Sequence, residues 1–364
     1  DPEQYPTLSR ARKAIRKGSI LIQKAVESQS EDQVMEFDSS KTIRGKVHHR
    51  IGPLDIVAKQ VLMPDGLYHG MVYDKPPFEL PVVYEDDHCA VVNKPAGVPI
   101  FASRNVGHRR RTIECALPFA LKPPKPGTKG KLLYPHPCHR LDMPTSGLLL
   151  VAKTRPALVA ISKQFEKRVV RKTYTALVNG VPKQDEERRI SAVRADHMGV
   201  DVDLTDPSSQ VWNLIDEDLD EKSAITIWRV LNSTRSLKAQ ENTLTTVELK
   251  LKTGRYHQLR RHMASTAGCP IVGDTKYEIE ENKLKGNGLF LCSNKVRFVH
   301  PYFNTREGKK EWLDICRSPD KLDDCLQIEK NGDKERVCVN ISIDLPDKFA
   351  AYLEREESRF HKLT

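Results

Sequence analysis

The sequence predicts an α+β protein whose main sheet is mixed but largely antiparallel, with helices flanking it. Short apolar segments of strand length recur along the chain between turn-forming residues. Helical periodicity is confined to a few segments, notably near Arg155–Arg168 and Gln258–Ala267. This mixture is typical of α+β folds. The main predicted strands are Gly147–Ala152, Thr173–Val178, Ala224–Val230 and Thr245–Lys252.

A small helix-and-hairpin unit is predicted at the N-terminus. Thr7 and Ser9 are candidate helix caps, apolar residues recur at helical spacing from Leu8 to Ile15, and Gly18 suits the helix end. A short strand follows at Ser19–Ile22. This pattern fits either a solvated amphipathic helix or an RNA-binding face. The basic residues of the helix are Arg10, Arg12, Lys13, Arg16 and Lys17.

The chain divides by composition into two domains and a linker. Residues 1–62 form the small basic module, and residues 63–80 are rich in Pro and Gly, which is typical of a linker. Residues 81–364 form the larger domain, with polar insertions near 184–221 and 303–337.

The larger domain begins and ends with recognisable elements. Two short strands around a polar turn are predicted within 81–97, and a strand at Val339–Leu345 precedes a helix at Pro346–Glu354. The stretch from Asp201 to Glu221 holds eight acidic residues and no basic one, without the spacing of a Ca²⁺ loop. It is therefore interpreted as a solvated insertion.

Positive charge is concentrated in two places. The chain of 364 residues has 59 Lys and Arg against 49 Asp and Glu, which gives a net charge of +10. Six Lys or Arg and no acid lie within Ser9–Lys24, and eight lie within Arg104–Lys131 against the single acid Glu114. Such clusters suit a phosphate backbone. The second cluster is either a flexible surface loop or a loop that grips RNA.

Several function classes lack their sequence signals. No apolar run approaches the ~20 residues of a membrane helix, so no spanning segment is expected. The eight cysteines contain no C-x-x-C pair, which indicates reduced thiols inside a cell. No metal-ligand pair, G-x-G-x-x-G or P-loop is present, so we expect neither a metal nor a small-molecule cofactor. The first residue is Asp1, so a targeting segment could have been removed; cytoplasm, nucleus or an organelle is possible.

The segment His139–Ala152 carries the most informative chemistry. Arg140 and Asp142 stand two residues apart on a turn, and small polar residues lead from there into the buried strand at Gly147. Such a turn can hold a carboxylate at the mouth of a cleft while the strand fixes it to the core. From its chemistry alone the turn could also be structural, and that interpretation is favoured at this point.

This segment resembles the active-site motif of the RluA-type pseudouridine synthases. Three further segments resemble that family's other motifs and follow in its order: Val92–Gly97, Arg171–Gly180, and Thr253–His262 continuing to Asp274. The resemblance runs from about Pro81 to Pro301. It implies the fold of that family and the isomerisation of uridine to pseudouridine in RNA.

The resemblance implies a role for each matched residue. Asp142 would be the catalytic aspartate, Tyr174 the aromatic ring that stacks on the target base, and Arg260 the arginine that pairs with the aspartate. Substrate-binding positions would be Arg140, which enters the space that the base leaves, Arg255, which shapes the pocket, and Asn93 and Lys94 of the first motif. The chain departs from the family pattern at Tyr256, Arg261, Cys269 and Cys292.

The N-terminal segment resembles a small RNA-binding module shared by a ribosomal protein of the small subunit and several RNA-modifying enzymes. The likeness covers roughly residues 5–60, with Ile51–Ile56 as the closing strand. It implies structured RNA as the partner. Ribosomal RNA is favoured and transfer RNA is possible.

Two other function classes remain as alternatives. A non-catalytic RNA-binding or ribosome-assembly protein could keep the same fold, although the intact set of Asp142, Tyr174 and Arg260 argues against it. A carboxylate-based hydrolase would need a second positioned acid or a nucleophile–base pair, and no matched spacing is found. A monomer is expected.

Overall fold

The computed structural model describes residues 7–16, 20–24, 42–52, 55–59, 76–102, 111–198, 200, 211–278, 286, 288–316, 324–331 and 334–363. These fall into two compact units, whose described parts lie within 7–59 and 76–363. Most of the linker predicted at 63–80 lies outside the described residues. Its last part, residues 76–80, belongs to the second unit instead, because Leu80 packs into the core there.

The first unit is a short helix and three short antiparallel strands. Its elements are α1 (Leu8–Arg16), β1 (Ile20–Gln23), β2 (Ile43–Arg44) and β3 (Ile56–Lys59), with the strand order β2-β1-β3.

Closing strand β3 begins at Ile56, so the prediction of a strand over Ile51–Ile56 was wrong. The carboxylate of Asp55 accepts hydrogen bonds from the backbone N–H of Gly52 (2.8 Å) and from the ammonium of Lys24 (2.6 Å).

The second unit is built on a sheet of twelve strands. Its strands are β4 (Val82–Glu85), β5 (Cys89–Lys94), β6 (Lys131–Pro137), β7 (Ser146–Thr154), β8 (Arg171–Asn179), β9 (Arg189–Ser191), β10 (Val211–Asp216), β11 (Ile225–Arg235), β12 (Thr243–Leu251), β13 (Leu291–Val299), β14 (Leu326–Asn331) and β15 (Lys334–Ser342). The main path is β4-β5-β7-β13-β8-β12-β11-β10-β9, with β6 on β7 and β15 carrying β14 beside β13. Every pairing is antiparallel except that of β13 with β7. The predicted fold class is confirmed.

Five of the described helices in the second unit have eight or more residues. They are α2 (Ile113–Ala120), α3 (Arg155–Glu166), α5 (Gln258–Ser265), α6 (Arg306–Cys316) and α7 (Lys348–Leu363), and the short α4 (Ala192–His197) follows β9. Helix α3 begins where the hydroxyl of Thr154 accepts the backbone N–H of Ala157 (3.3 Å), which is an N-cap.

Strand β7 is buried on both faces because helices cover both sides of the sheet. Leu149 packs in one core together with α2 and α5, while the alternate residues Leu148 and Leu150 pack in a second core with α3 and β15. This burial explains the continuous apolar run of the segment. It also makes β7 a rigid support for the turn that precedes it.

Two stretches interpreted as polar are partly folded. Within the acidic stretch, Val211–Asp216 forms β10, and Trp212 is fully buried in a core with Ile190 and Ile227. The segment Val211–Asp216 is mostly apolar and carries a single acid at its end, which is enough to build a strand. Within 303–337, Trp312 of α6 packs against Phe303 and Val337.

The basic stretch 104–131 is not one loop. Residues 103–110 lie outside the described residues, but α2 follows, and its Ile113 and Leu117 are fully buried. Lys122 and Lys125 then lie on the surface, where Lys125 pairs with Asp87 (3.4 Å).

Candidate active site

A cleft of about 600 Å³ opens in the second unit. Its size lies in the ordinary range of ligand sites. It is formed by the turn before β7, the middle of β8, the end of β12 and the start of α5. The residues that line it are Cys138, His139, Arg140, Leu141, Asp142, Thr145, Phe165, Lys172, Tyr174, Leu251, Gly254, Arg255, Tyr256, His257, Gln258, Leu259, Arg260 and Leu291.

Asp142 stands in a tight turn at the cleft. The backbone N–H of Thr145 donates to the carbonyl of Asp142 (3.1 Å), and that of Gly97 donates to the carbonyl of Met143 (2.8 Å). The Asp142 side chain keeps 29% of its surface exposed, so the carboxylate is held in place and still reachable. The buried Thr145 hydroxyl beside it has no hydrogen-bond partner among the described residues.

Lys94 does not face the cleft, contrary to the role in substrate binding that its motif implied. It is fully buried, and its ammonium donates to the carbonyls of Pro95 (2.9 Å), Val98 (2.9 Å) and Met143 (3.0 Å). Burial lowers the pKa of Lys94 to about 8, and the charge of Asp142 opposes that shift. Lys94 therefore fastens the Asp142 turn to the loop after β5.

Asn93 is likewise absent from the cleft lining. Its backbone N–H donates to the carbonyl of Pro81 (2.8 Å), at the side of the sheet where β4 begins. Asn93 and Lys94 of the first motif therefore do not line the cleft, and Lys94 supports it from outside.

His139 anchors the residue that precedes the catalytic turn. The backbone N–H of Leu150 donates to Nε2 of His139 (3.1 Å), so Nδ1 carries the proton and donates to the carbonyl of Arg140 (3.3 Å). Burial holds the pKa of His139 well below its usual range, which keeps the ring neutral. The exposed Arg140 side chain projects at the cleft from this fixed backbone.

Arg260 lies beside Asp142 but is bound to a different carboxylate. Its Nη1 is 3.7 Å from Oδ2 of Asp142, which is an ion-pair distance and too long for a good hydrogen bond. Its Nε and Nη2 instead donate to the two carboxylate oxygens of Asp274, both at 2.7 Å. Arg260 thus pairs with Asp142 at ion-pair distance, and its bidentate contact is with Asp274.

Asp274 is the main site residue that sequence reasoning missed. Its side chain is fully buried, and Oδ1 also accepts the backbone N–H groups of Lys276 (3.0 Å) and Tyr277 (3.2 Å). Burial alone would raise the pKa of Asp274, but Arg260 and these donors lower it. A sequence signal was available, because the carboxylate follows Gly273 directly at the end of the third motif.

Gly273 is required for that arrangement. Its φ is +77°, and a Cβ there would lie 2.0 Å from the carbonyl oxygen of Gly288. Only glycine adopts this backbone at such close approach.

His257 lies next to both Asp142 and Arg260. It has a left-handed backbone (φ 51°, ψ 31°) at the start of α5, an uncommon conformation that often marks a functional site. Arginine can only donate, so Nε2 of His257 accepts from Nη1 of Arg260 (3.2 Å), and Nδ1 donates to the hydroxyl of Tyr277 (3.0 Å). Burial lowers the pKa of His257, so its 3.8 Å approach to Asp142 is not an ion pair at neutral pH.

Tyr174 lines the cleft from β8 and is only 4% exposed. Its cross-strand neighbours are Leu249 of β12 and Ser293 of β13. The ammonium of Lys172, two residues earlier on the same face, lies 5.6 Å from the Tyr174 ring and 5.8 Å from the Phe165 ring. These distances fit cation–π contacts.

Arg255 is positioned by Gln258. The amide oxygen of Gln258 accepts the backbone N–H of Arg255 (3.0 Å), and Nε of Arg255 donates to the carbonyl of Ser223 (2.9 Å). Tyr256 stands on the rim with 56% of its surface exposed, stacked on His257 at a ring separation of 3.8 Å. The structure thus brings Arg140, Asp142, Tyr174, Arg255 and Arg260 into one cleft.

Known proteins resemble this chain over most of the second unit. A model of the RNA pseudouridylate synthase family matches residues 88–265. The tRNA pseudouridine synthase C of Vibrio parahaemolyticus is 30% identical over 249 residues, which cover 65% of this chain and 92% of the relative. An RNA pseudouridine synthase of Bacillus subtilis, YlyB, is 31% identical over 311 residues, 83% of this chain and 91% of the relative.

The chain belongs to the RNA pseudouridine synthase family. A further relative, the ribosomal large subunit pseudouridine synthase C of Rickettsia bellii, is 33% identical over 220 residues, 60% of this chain and 61% of the relative. The protein is accordingly an isomerase that converts uridine in RNA into pseudouridine, as its motifs implied. The non-catalytic alternative is not favoured.

A second polar cluster in this pseudouridine synthase lies apart from the cleft lining. Asp86, Cys89 and His300 place three potential metal-ligand atoms within 4.8 Å of one another. However, Asp86 already accepts hydrogen bonds from His300, from Tyr84 (2.7 Å) and from two backbone N–H groups. Burial raises the pKa of the Cys89 thiol well above its usual range, so the thiolate that a metal needs is disfavoured. The cluster is best described as a hydrogen-bonded network.

The basic helix of the first unit presents cations to solvent. Arg12, Lys13 and Arg16 are exposed, whereas Ala11 and Ile15 are half-buried. The side chain of Arg10 and all of Lys17 lie outside the described residues. No described helix is long and apolar enough to cross a membrane.

Proposed function

We propose that Asp142 is the catalytic carboxylate and acts on the ribose of a uridine extruded from folded RNA. The observation that carries this proposal is the convergence of the Asp142 carboxylate, the Arg260 guanidinium and the Tyr174 ring on one cleft. The reaction breaks the bond between N1 and C1′ and forms a bond between C5 and C1′. The proton of C5 is released and N1 gains one, so atoms and charge balance without a cofactor.

A uridine in structured RNA must leave its stack to reach Asp142, at a cost of a few kcal/mol. Stacking on Tyr174, worth about 1–3 kcal/mol per base, offsets part of that cost. Arg140 projects from a fixed backbone at the cleft, so its guanidinium can occupy the space that the base leaves. Arg255 closes the wall from which the base enters, and Arg260 completes the positive side of the pocket.

Asp274 and Lys94 support the site without touching substrate. Asp274 fixes the guanidinium of Arg260, so that its remaining Nη1 is aimed at Asp142. Lys94 holds the carbonyl of Met143, one residue beyond Asp142. Preorganised charges of this kind need no rearrangement when charge develops in the reaction.

We infer that the substrate is ribosomal RNA, with transfer RNA as the second candidate. The exposed basic helix of residues 1–62 supports binding to a large structured RNA. The Rickettsia relative is named for the large ribosomal subunit, and the Vibrio relative is named for transfer RNA. We expect the protein to act as a monomer on RNA within a cell.

Tritium release tests the reaction and the substrate together. Rejoining through C5 frees the tritium of RNA made with [5-³H]uridine. Purified protein is incubated with ribosomal and transfer RNA transcripts, and pseudouridines are mapped in cells that lack it. Loss of a ribosomal pseudouridine in those cells supports the inference, and loss confined to transfer RNA selects the second candidate.

A further inference from the structure

We propose that a basic groove beside the active-site cleft binds the phosphates of the RNA strand that carries the target uridine. The groove has a volume of about 510 Å³ and lies entirely within the second unit. It crosses the start of β8 and the end of β12. We define the basic groove by its cations Lys167, Arg168, Arg171, Lys172, Lys252 and Arg255.

The groove is continuous with the active-site cleft. Phe165, Lys172, Leu251, Gly254 and Arg255 line both. Lys172, which lines both, precedes Tyr174 by two residues on the same face of β8, a separation of about 7 Å at the rise of a strand. A nucleotide next to one bound at Tyr174 therefore reaches the groove without a break in the protein surface.

The charge of the groove has one sign. Seven of its fourteen lining residues are Lys or Arg, and none of the described lining residues is acidic. One of the seven, Lys250, is already paired with Glu248 (3.4 Å), so it is not counted among the groove cations. No described carboxylate pairs with Lys167, Arg168 or Lys252.

The positive surface continues beyond the groove. A shallower depression of about 190 Å³ shares Arg168 and Arg171 with it and adds Arg297, Arg336 and one acid, Glu329. Arg297 is paired with Glu329, which leaves Arg336 as the added cation. The cations thus form a track that leads away from the cleft, which fits a chain of phosphates better than a single small anion.

Local backbone geometry holds the groove open at Arg168. Helix α3 ends at Glu166, and Arg168 adopts a positive φ of 57° before β8 begins. The backbone N–H of Val169 donates a hydrogen bond to the carbonyl of Gln164 (2.8 Å), which fixes the turn. Lys167 and Arg168 are both exposed on this turn.

Salt-dependent binding of a triple variant tests the groove. Lys167→Gln, Arg168→Gln and Lys252→Gln are combined, since none of these residues lines the active-site cleft. The probe is a fluorescein-labelled single-stranded oligouridylate. Each lost phosphate contact reduces the slope of log affinity against log salt by about 0.7, so the triple variant is expected to lose about 2. KM for [5-³H]uridine-labelled RNA rises, while kcat at saturating RNA stays within about twofold.

Two matched variants make the test specific. Lys309→Gln, Lys310→Gln and Lys362→Gln remove the same charge from exposed positions on α6 and α7, and should leave the slope unchanged. Lys167→Arg, Arg168→Lys and Lys252→Arg keep the charge and should bind as the wild type does. Equal slopes for the groove variant and the α6–α7 variant would overturn the proposal. Since this readout is binding, it stands apart from any failure of Asp142 as the catalytic group.

Discussion

Asp142 and Asp274 share one arginine, yet their surroundings differ. Asp274 is fully buried, takes both 2.7 Å hydrogen bonds from Arg260 and accepts two backbone N–H groups. Asp142 is 29% exposed and receives Arg260 only at 3.7 Å. A carboxylate that is fully buried under four hydrogen bonds can position a neighbour but is not accessible to a substrate. This difference supports the proposal that Asp142 reacts and that Asp274 holds Arg260 in place.

The largest effect is expected at the exposed member of the pair. Asp142→Asn keeps the volume but removes the negative charge and the nucleophilic oxygen, so tritium release should be abolished. The melting temperature and RNA affinity should stay close to those of the wild type. Substantial turnover by the purified variant would show that another group performs the reaction.

Asp274→Asn should show the complementary pattern. Loss of one partner of a buried ion pair costs about 3–5 kcal/mol, because the other charge is left uncompensated. We expect a clear fall in melting temperature together with reduced kcat, as Arg260 turns away from its present orientation. Thermal unfolding and tritium release are measured on the same preparation. A variant with wild-type stability and no activity would place Asp274 in the chemistry instead.

Two variants of Tyr174 test whether its ring stacks on the target base in the cleft. Tyr174→Phe keeps the flat ring, whereas Tyr174→Leu keeps apolar bulk but loses stacking. Loss of one stack costs about 1–3 kcal/mol, or about ten- to a hundredfold in rate, so Leu should be far slower than Phe. Equal inactivity of the two variants would assign a chemical task to the hydroxyl.

Removal of cations from the first unit should weaken RNA binding and should not change the surroundings of Asp142 and Asp274. Arg12→Gln, Lys13→Gln and Arg16→Gln together should lower the salt slope of RNA binding by about 2 if each contacts a phosphate. The kcat at saturating RNA should not change. An unaltered slope would identify α1 as a solvated helix.

A third carboxylate, Asp86, gives the smallest expected effect. Its cluster with Cys89 and His300 is occupied by hydrogen bonds, so exhaustive chelation should not reduce turnover on a short, stably folded RNA. Such a substrate avoids the indirect role of Mg²⁺ in folding RNA. Complete loss of turnover under EDTA would contradict a metal-free reaction.

Local pattern was sufficient to predict the elements that support the site. The apolar run of β7 and the helical spacing of α3 and α5 place each of them within a few residues of its observed bounds. The motif residues Asp142, Tyr174 and Arg260 meet in one cleft, as the resemblance implied.

Most of the features that the sequence did not predict depend on contacts between residues far apart in the chain. No local signal shows that the ammonium of Lys94 ends on the carbonyl of Met143, which is 49 residues further along the chain. The bidentate pairing of Arg260 with Asp274, and not with Asp142, likewise depends on the turn at Gly273, because that turn buries Asp274. Trp212 was overlooked because the acids on either side of Val211–Asp216 lower the average hydropathy of the stretch, although the strand itself holds a single acid.

Gly147 is a position where inherited variation would be poorly tolerated. Its φ is +114°, and a Cβ there would lie 2.3 Å from the carbonyl oxygen of Ser293 on β13. Every missense change must separate β7 from β13, and the displacement begins five residues after Asp142. Individuals carrying such a change are expected to lack the same pseudouridines as those without the catalytic carboxylate. Changes at Gly147, which has no side chain, would then cause the same loss of pseudouridines as changes at a residue of the active site.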